Sequence, residues 1–119
     1  MSRVNQFSRA GLPLTPPVFY VLLSLSLRER HGYDILKHVG SSSGGSVRLG
    51  PGTLYTTLRR LLDAGLIVET RDRPEPCPDD ARRRYYRLTE LGRSRLAGEL
   101  ARMEQALELA RPARQPGPA

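Results

Sequence analysis

Gly50-Pro51-Gly52-Thr53-Leu54-Tyr55-Thr56-Thr57-Leu58-Arg59-Arg60-Leu61-Leu62-Asp63-Ala64-Gly65-Leu66 is the stretch on which the fold turns. Leu54, Leu58, Leu61 and Leu62 stand at i, i+4, i+7 and i+8, a spacing that predicts a helix with one apolar stripe. Pro51 suits the first turn, where N–H groups have no intrahelical partner. Gly65 suits the left-handed residue that ends such a helix, with Leu66 folding back onto the last turn. The opposite face is assigned Thr53, Thr56, Thr57, Arg59, Arg60 and Asp63. A charged helix face is ordinarily just a solvated face, so this one decides nothing alone.

Working outward, Leu66 to Arg71 reads as a strand and Arg84 to Leu88 as its antiparallel partner. Asp72 to Arg83, with Pro74, Pro76 and Pro78, is a hairpin tip too long for a tight turn. Thr89 caps a last helix. Its apolar residues are Leu91, Leu96, Leu100, Met103 and Leu107, and from Leu96 the steps of 4, 3 and 4 make a short heptad seam. On the other side, Val47-Arg48-Leu49 alternates as a very short strand would, and residues 40–46 are a Gly/Ser loop. Tyr33 to Val39 is helical, with Ile35, Leu36 and Val39 inward, and His31-Gly32 separates it from a first helix. Thr15 caps that helix, and Pro16 and Pro17 occupy its first turn. Val18, Phe19, Val21, Leu22, Leu23, Leu25 and Leu27 cover most of its circumference, which calls for cover on more than one side.

The 119 residues suffice for one domain with one core. The formal net charge is +7, and every basic residue except Lys37 is arginine, a surplus that suits a polyanion such as nucleic acid. An arginine-rich proteome would give the same balance. Cys77 is the only cysteine, which excludes an internal disulfide and a thiolate metal cluster. No secretory signal is visible, and the apolar run Val18–Leu27 falls far short of the roughly 20 residues that span a bilayer. The expectation is a soluble, cytoplasmic protein without membrane contact.

The organisation expected is a flexible arm at 1–13, a DNA-binding domain at 14–88, a dimerisation helix at 89–111 and a disordered tail at 112–119. Three helices followed by a two-stranded hairpin form a mainly α fold with a small β wing, the winged helix-turn-helix. There the third helix enters the major groove and the hairpin loop follows the backbone. Threonines on the third helix can bond phosphates or meet a thymine methyl, and Arg59 and Arg60 can reach phosphates or guanine edges. Gly50 to Thr53 open the helix with backbone N–H groups suited to a phosphate. The wing carries Arg71, Arg73, Arg82, Arg83 and Arg84, diluted by Asp72, Glu75, Asp79 and Asp80.

Three separated blocks resemble the PadR-like transcriptional regulators over roughly residues 14 to 108. They are His31-Gly32-Tyr33 with Ile35-Leu36; Gly50-Pro51-Gly52-Thr53-Leu54-Tyr55 with Leu58, Leu61 and Gly65-Leu66-Ile67; and Arg84-Tyr85-Tyr86-Arg87-Leu88-Thr89 with Leu91-Gly92. The short last helix is similar to that of the family's compact subgroup. The resemblance implies a homodimeric winged-helix repressor on double-stranded DNA, often released by a small molecule or stress signal, and a symmetric dimer calls for a near-palindromic operator. It places Thr53, Tyr55 and Arg59 near DNA and assigns dimer contacts to the first and last helices. The residues expected there are Phe19, Leu22, Leu23, Leu96, Leu100, Met103 and Leu107, with an effector site between subunits. Tyr33 is expected in the core, and one of Tyr85 and Tyr86 is expected inside with the other facing out. The prolines of the wing loop depart from the family pattern.

Other classes are weaker. Of His31, Asp34 and His38, Asp34 and His38 share one helical face without a further ligand at helical or hairpin spacing, and residues 40–46 lack the lysine of a phosphate loop, so no catalytic set, metal or cofactor is expected. A winged helix used only for protein contact would not need Arg59 and Arg60. RNA binding would call for aromatics on an exposed sheet.

Overall fold

The computed structural model describes residues 14–70 and 84–114. Expectations for the arm at 1–13, for the wing loop at 71–83 including Arg82 and Arg83, and for 115–119 lie outside the described residues. Helix α1 spans Pro16–Leu27; the Thr15 hydroxyl accepts from the Val18 N–H at 3.4 Å, as its capping role requires. Phe19, Val21, Leu22 and Leu25 are buried, and the buried Ser24 hydroxyl donates to the Val21 carbonyl at 2.8 Å.

Two residues after α1, Arg30–His31 form strand β1, pairing antiparallel with β3 (Tyr85–Leu88), which in turn pairs with β2 (Ile67–Thr70). The sheet order is β1-β3-β2. The alternation at Val47–Leu49 predicts a strand, but none forms there. The Val47 N–H instead bonds the Ser43 hydroxyl at 3.0 Å, while Val47 and Leu49 pack against the core from an extended loop. The open edge of β3 is filled by the chain leaving α1. Its Arg30 is buried, with Nε donating to the Ser24 carbonyl at 2.7 Å and Nη1 to Asp34 at 3.3 Å.

Helix α2 (Gly32–Ser42) is capped by the His31 side chain, whose Nδ1 accepts from the Asp34 N–H at 3.2 Å. Helix α3 (Pro51–Asp63) buries Leu54, Leu58 and Leu61. It ends on Gly65 at φ 76°, with the Leu66 N–H on the Leu61 carbonyl and the Gly65 N–H on the Leu62 carbonyl, both at 3.0 Å. That pair of bonds is the Schellman closure. α3 runs from there straight into β2.

Thr89 joins this turn to helix α4 (Glu90–Leu109): its N–H reaches the Leu66 carbonyl, its hydroxyl donates to the Gly65 carbonyl at 2.7 Å and accepts from the Gly92 N–H at 3.0 Å. The α4 backbone passes so close that a Cβ on Gly92 would lie 2.0 Å from the Leu66 carbonyl oxygen. Beyond the Ala110 cap, Arg111–Arg114 form a helical turn, α5, so that residues 112–114 of the tail expected to be disordered are helical. Pro112 sits in its first turn, where no N–H is needed, and the Arg114 N–H bonds the Ala110 carbonyl at 3.0 Å.

Candidate nucleic-acid interface

The outer face of α3 displays Thr53, Tyr55, Thr56, Arg59 and Arg60 to solvent, while its leucines face the core. No side chain caps the helix start, and a Cβ at Gly50 or Gly52 would meet nothing within 4 Å, so a ligand has open access to this end. Thr57 departs from the expectation. It is buried, and its hydroxyl donates to the Thr53 carbonyl at 2.9 Å. Position 57 lies three after Leu54 and four before Leu61, so helical spacing already puts it beside the apolar stripe.

Across a cleft of about 280 Å³ from α3 stands the root of the wing. Tyr55, Leu58, Arg59 and Leu62 line one wall, and Glu69, Arg84 and Tyr86 the other. Arg84 Nε lies 3.3 Å from Glu69 Oε2, so the one described arginine of the wing cluster is already paired. Glu69 faces Tyr86 in the strand register. Tyr86 is the inward tyrosine, and Tyr85 is half-buried with its ring edge-on to His31 at 5.3 Å. Burial, followed by the negative charge of Glu69, pushes the Tyr86 phenol up from its ordinary pKa and keeps it protonated.

Tyr33 is not in the core but 66% exposed. Its ring stacks on His31 at 6.4 Å, and Lys37 Nζ sits 5.5 Å from its centroid. Tyr33 shares the exposed face of α2 with Lys37, one turn on, while Ile35 and Val39 point inward. Sequence reading missed Glu69 and Lys37 at this surface. Alternation from Ile67 was the available signal for Glu69, since it puts both on one face of the strand.

The residues assigned to subunit contacts separate into two groups. Phe19, Leu22 and Leu96 are buried in the subunit's own core and have no surface to offer a partner, which corrects their assignment. Leu23 is half-buried, and Leu100, Met103 and Leu107 are exposed. The face of α1 expected to need a second subunit is thus largely covered by α2, β3 and α4.

His31 and Asp34 serve local structure. His31 caps α2, and Asp34 lies between Arg28 at 3.1 Å and Arg30 at 3.3 Å. Burial, then the charge of Arg30, lowers the His38 pKa, so this imidazole stays neutral near pH 7. Among the described residues no helix is long and apolar enough to cross a membrane.

Known proteins carry the same architecture. The model of the transcriptional regulator PadR-like family matches residues 21–98. A curated relative, the transcriptional regulator Rv3488 of Mycobacterium tuberculosis, is 33% identical over 102 residues, spanning 86% of this chain and 84% of its own. Among solved structures, a PadR family transcription regulator from hypervirulent Clostridium difficile superposes with a TM-score of 0.66 at 21% identity, covering 85% of this chain and all of the other. A transcriptional regulator from Clostridium thermocellum gives 0.63 at 21% identity, covering 82% and 92%. With most of its folded length matched by the family model and its winged-helix fold shared with these structures, the chain belongs to the PadR-like family of transcriptional regulators, and it is not an enzyme.

Proposed function

We propose that this regulator binds double-stranded DNA sequence-specifically as a homodimer and acts as a repressor in the cytoplasm. The observation that carries the reading is the division of α3: leucines inward, and Thr53, Tyr55, Thr56, Arg59 and Arg60 outward on a helix with an open N-terminus. A helix so divided can lie in the major groove with arginines toward guanine edges or phosphates. Arg82, Arg83 and Arg84 then follow the backbone from the wing.

The dimer rests on the second half of α4. Leu100, Met103 and Leu107 form one stripe that nothing described in the subunit covers, and a second copy supplies an identical stripe through a closed two-fold contact. Leu23 of α1 adds to it. Two such subunits set their α3 helices about one DNA turn apart, roughly 34 Å. A small-molecule effector bound between α1 and α4 would change that spacing and release the DNA.

Selection of duplexes from a random pool tests the reading. Recovery of a near-palindrome with half-sites about 10 base pairs apart is the expected result. Recovery of unrelated sequences contradicts it.

A further inference from the structure

We infer that the cleft between α3 and the wing root is a seat for one DNA backbone phosphodiester, with Glu69 as a built-in competitor for its second cation, Arg84. The inference rests on the reading of α3 as the DNA-contacting helix and adds a site and a governor of affinity to it.

The cleft has the composition of an anion seat. Arg59 and Arg84 stand on opposite walls, Leu58 and Leu62 contribute apolar surface, and Tyr55 and Tyr86 add phenols. Tyr55 Oη is 3.9 Å from the Cβ position of Gly32, so it turns toward the cleft at its α2 end. With Tyr86 protonated, the charges lining the cleft among the described residues are two arginines and Glu69, a positive balance that suits one monoanionic phosphodiester.

The pair is asymmetric in a way that permits exchange. The Glu69 side chain is 19% exposed and fixed in the strand opposite Tyr86, whereas that of Arg84 is 52% exposed. Arg84 Nε approaches the carboxylate at 3.3 Å, longer than a typical charge-assisted bond. A half-exposed pair of this kind is weak. A phosphate entering beside Arg59 offers Arg84 a second anion able to accept two parallel N–H bonds, and the guanidinium turns to it while Glu69 stays behind. Glu69 therefore lowers affinity for every DNA sequence alike, because phosphates carry no base information.

The test measures binding to a selected operator and to a random duplex across a salt series, using full-length Glu69→Gln and Arg84→Met. Glu69→Gln should bind both duplexes roughly two- to fivefold more tightly, the effect of removing one weak competing ion pair. Arg84→Met should bind both less tightly and make the slope of log K against log[salt] shallower by about 0.9, one phosphate's share. Thermal melts confirm that each variant folds; if Glu69→Gln does not, the Arg84→Met slope decides. Unchanged or weaker binding by folded Glu69→Gln, or a wild-type slope for Arg84→Met, overturns the seat. If Arg59→Ala with Arg60→Ala still weakens binding in that case, the α3 reading stands and only the seat falls. If that double variant binds normally, the α3 reading has failed first.

Discussion

α3 and the second half of α4 are built alike in sequence, each with apolar residues at helical spacing and charged residues between them, yet they end in opposite environments. Leu54, Leu58 and Leu61 are buried within the subunit, whereas Leu100, Met103 and Leu107 remain exposed. The changeover in α4 falls between Leu96, 3% exposed, and Leu107, 48% exposed. Periodicity fixes the direction of an apolar face but not what covers it. Cover depends on length: α3 ends at Gly65 within the domain, while α4 continues beyond the elements that pack on its first two turns. One helix accordingly uses its apolar side for folding and keeps its polar side for a ligand. The other has apolar surface left for a second copy.

The sharpest way to break this contrast is at the start of α4. Gly92→Ala drives a methyl onto the Leu66 carbonyl oxygen, a backbone atom that cannot yield without opening the Gly65 turn. A destabilisation of about 3 kcal/mol or more is expected, seen in urea unfolding as a lowered midpoint with α3 and α4 melting together. A variant as stable as wild type would show that the two helices are not locked at this point.

Leu96 and the pair Leu100/Leu107 sharpen the contrast along a single helix. Leu96→Ala should destabilise the isolated subunit by about 2–5 kcal/mol, because its cavity lies inside the core. Leu100→Glu with Leu107→Glu should leave subunit helicity intact by circular dichroism but place charges in the two-fold contact, costing several kcal/mol of association. Light scattering should then report monomers. A double variant that stays dimeric would move the subunit interface elsewhere.

The wing gives the smallest effect. Arg82, Arg83 and Arg84 replaced together by alanine should weaken binding to all duplexes about equally and flatten the salt slope by about 0.9 for each phosphate the wing no longer neutralises. A slope equal to wild type would place the wing off the DNA.

Much of this was legible in the residues. The stripe of α3, the Gly65 turn, the β2–β3 pair and the Thr89 cap are local patterns with local causes, and the structure has each of them. What escaped depends on distant neighbours. Arg30–His31 are too short to show alternation and become a strand only because β3 presents an open edge. Tyr33 is outside because α2 turns the side of Ile35 and Val39 to the core and leaves Tyr33 with Lys37 on the outer side. At the interface, the exposed threonines and arginines of α3 followed from the stripe, but the Glu69–Arg84 pair required knowing which strand face meets α3.

The central claim is that the outer face of α3 reads DNA. It is tested most directly by the affinity of Arg59→Ala with Arg60→Ala for a selected operator, measured by gel shift beside the wild type at one fixed salt concentration. The expected result is a weakening of about 1–3 kcal/mol for each base edge or phosphate the arginines no longer reach, with the dimer intact. Unchanged affinity in a folded double variant would contradict it.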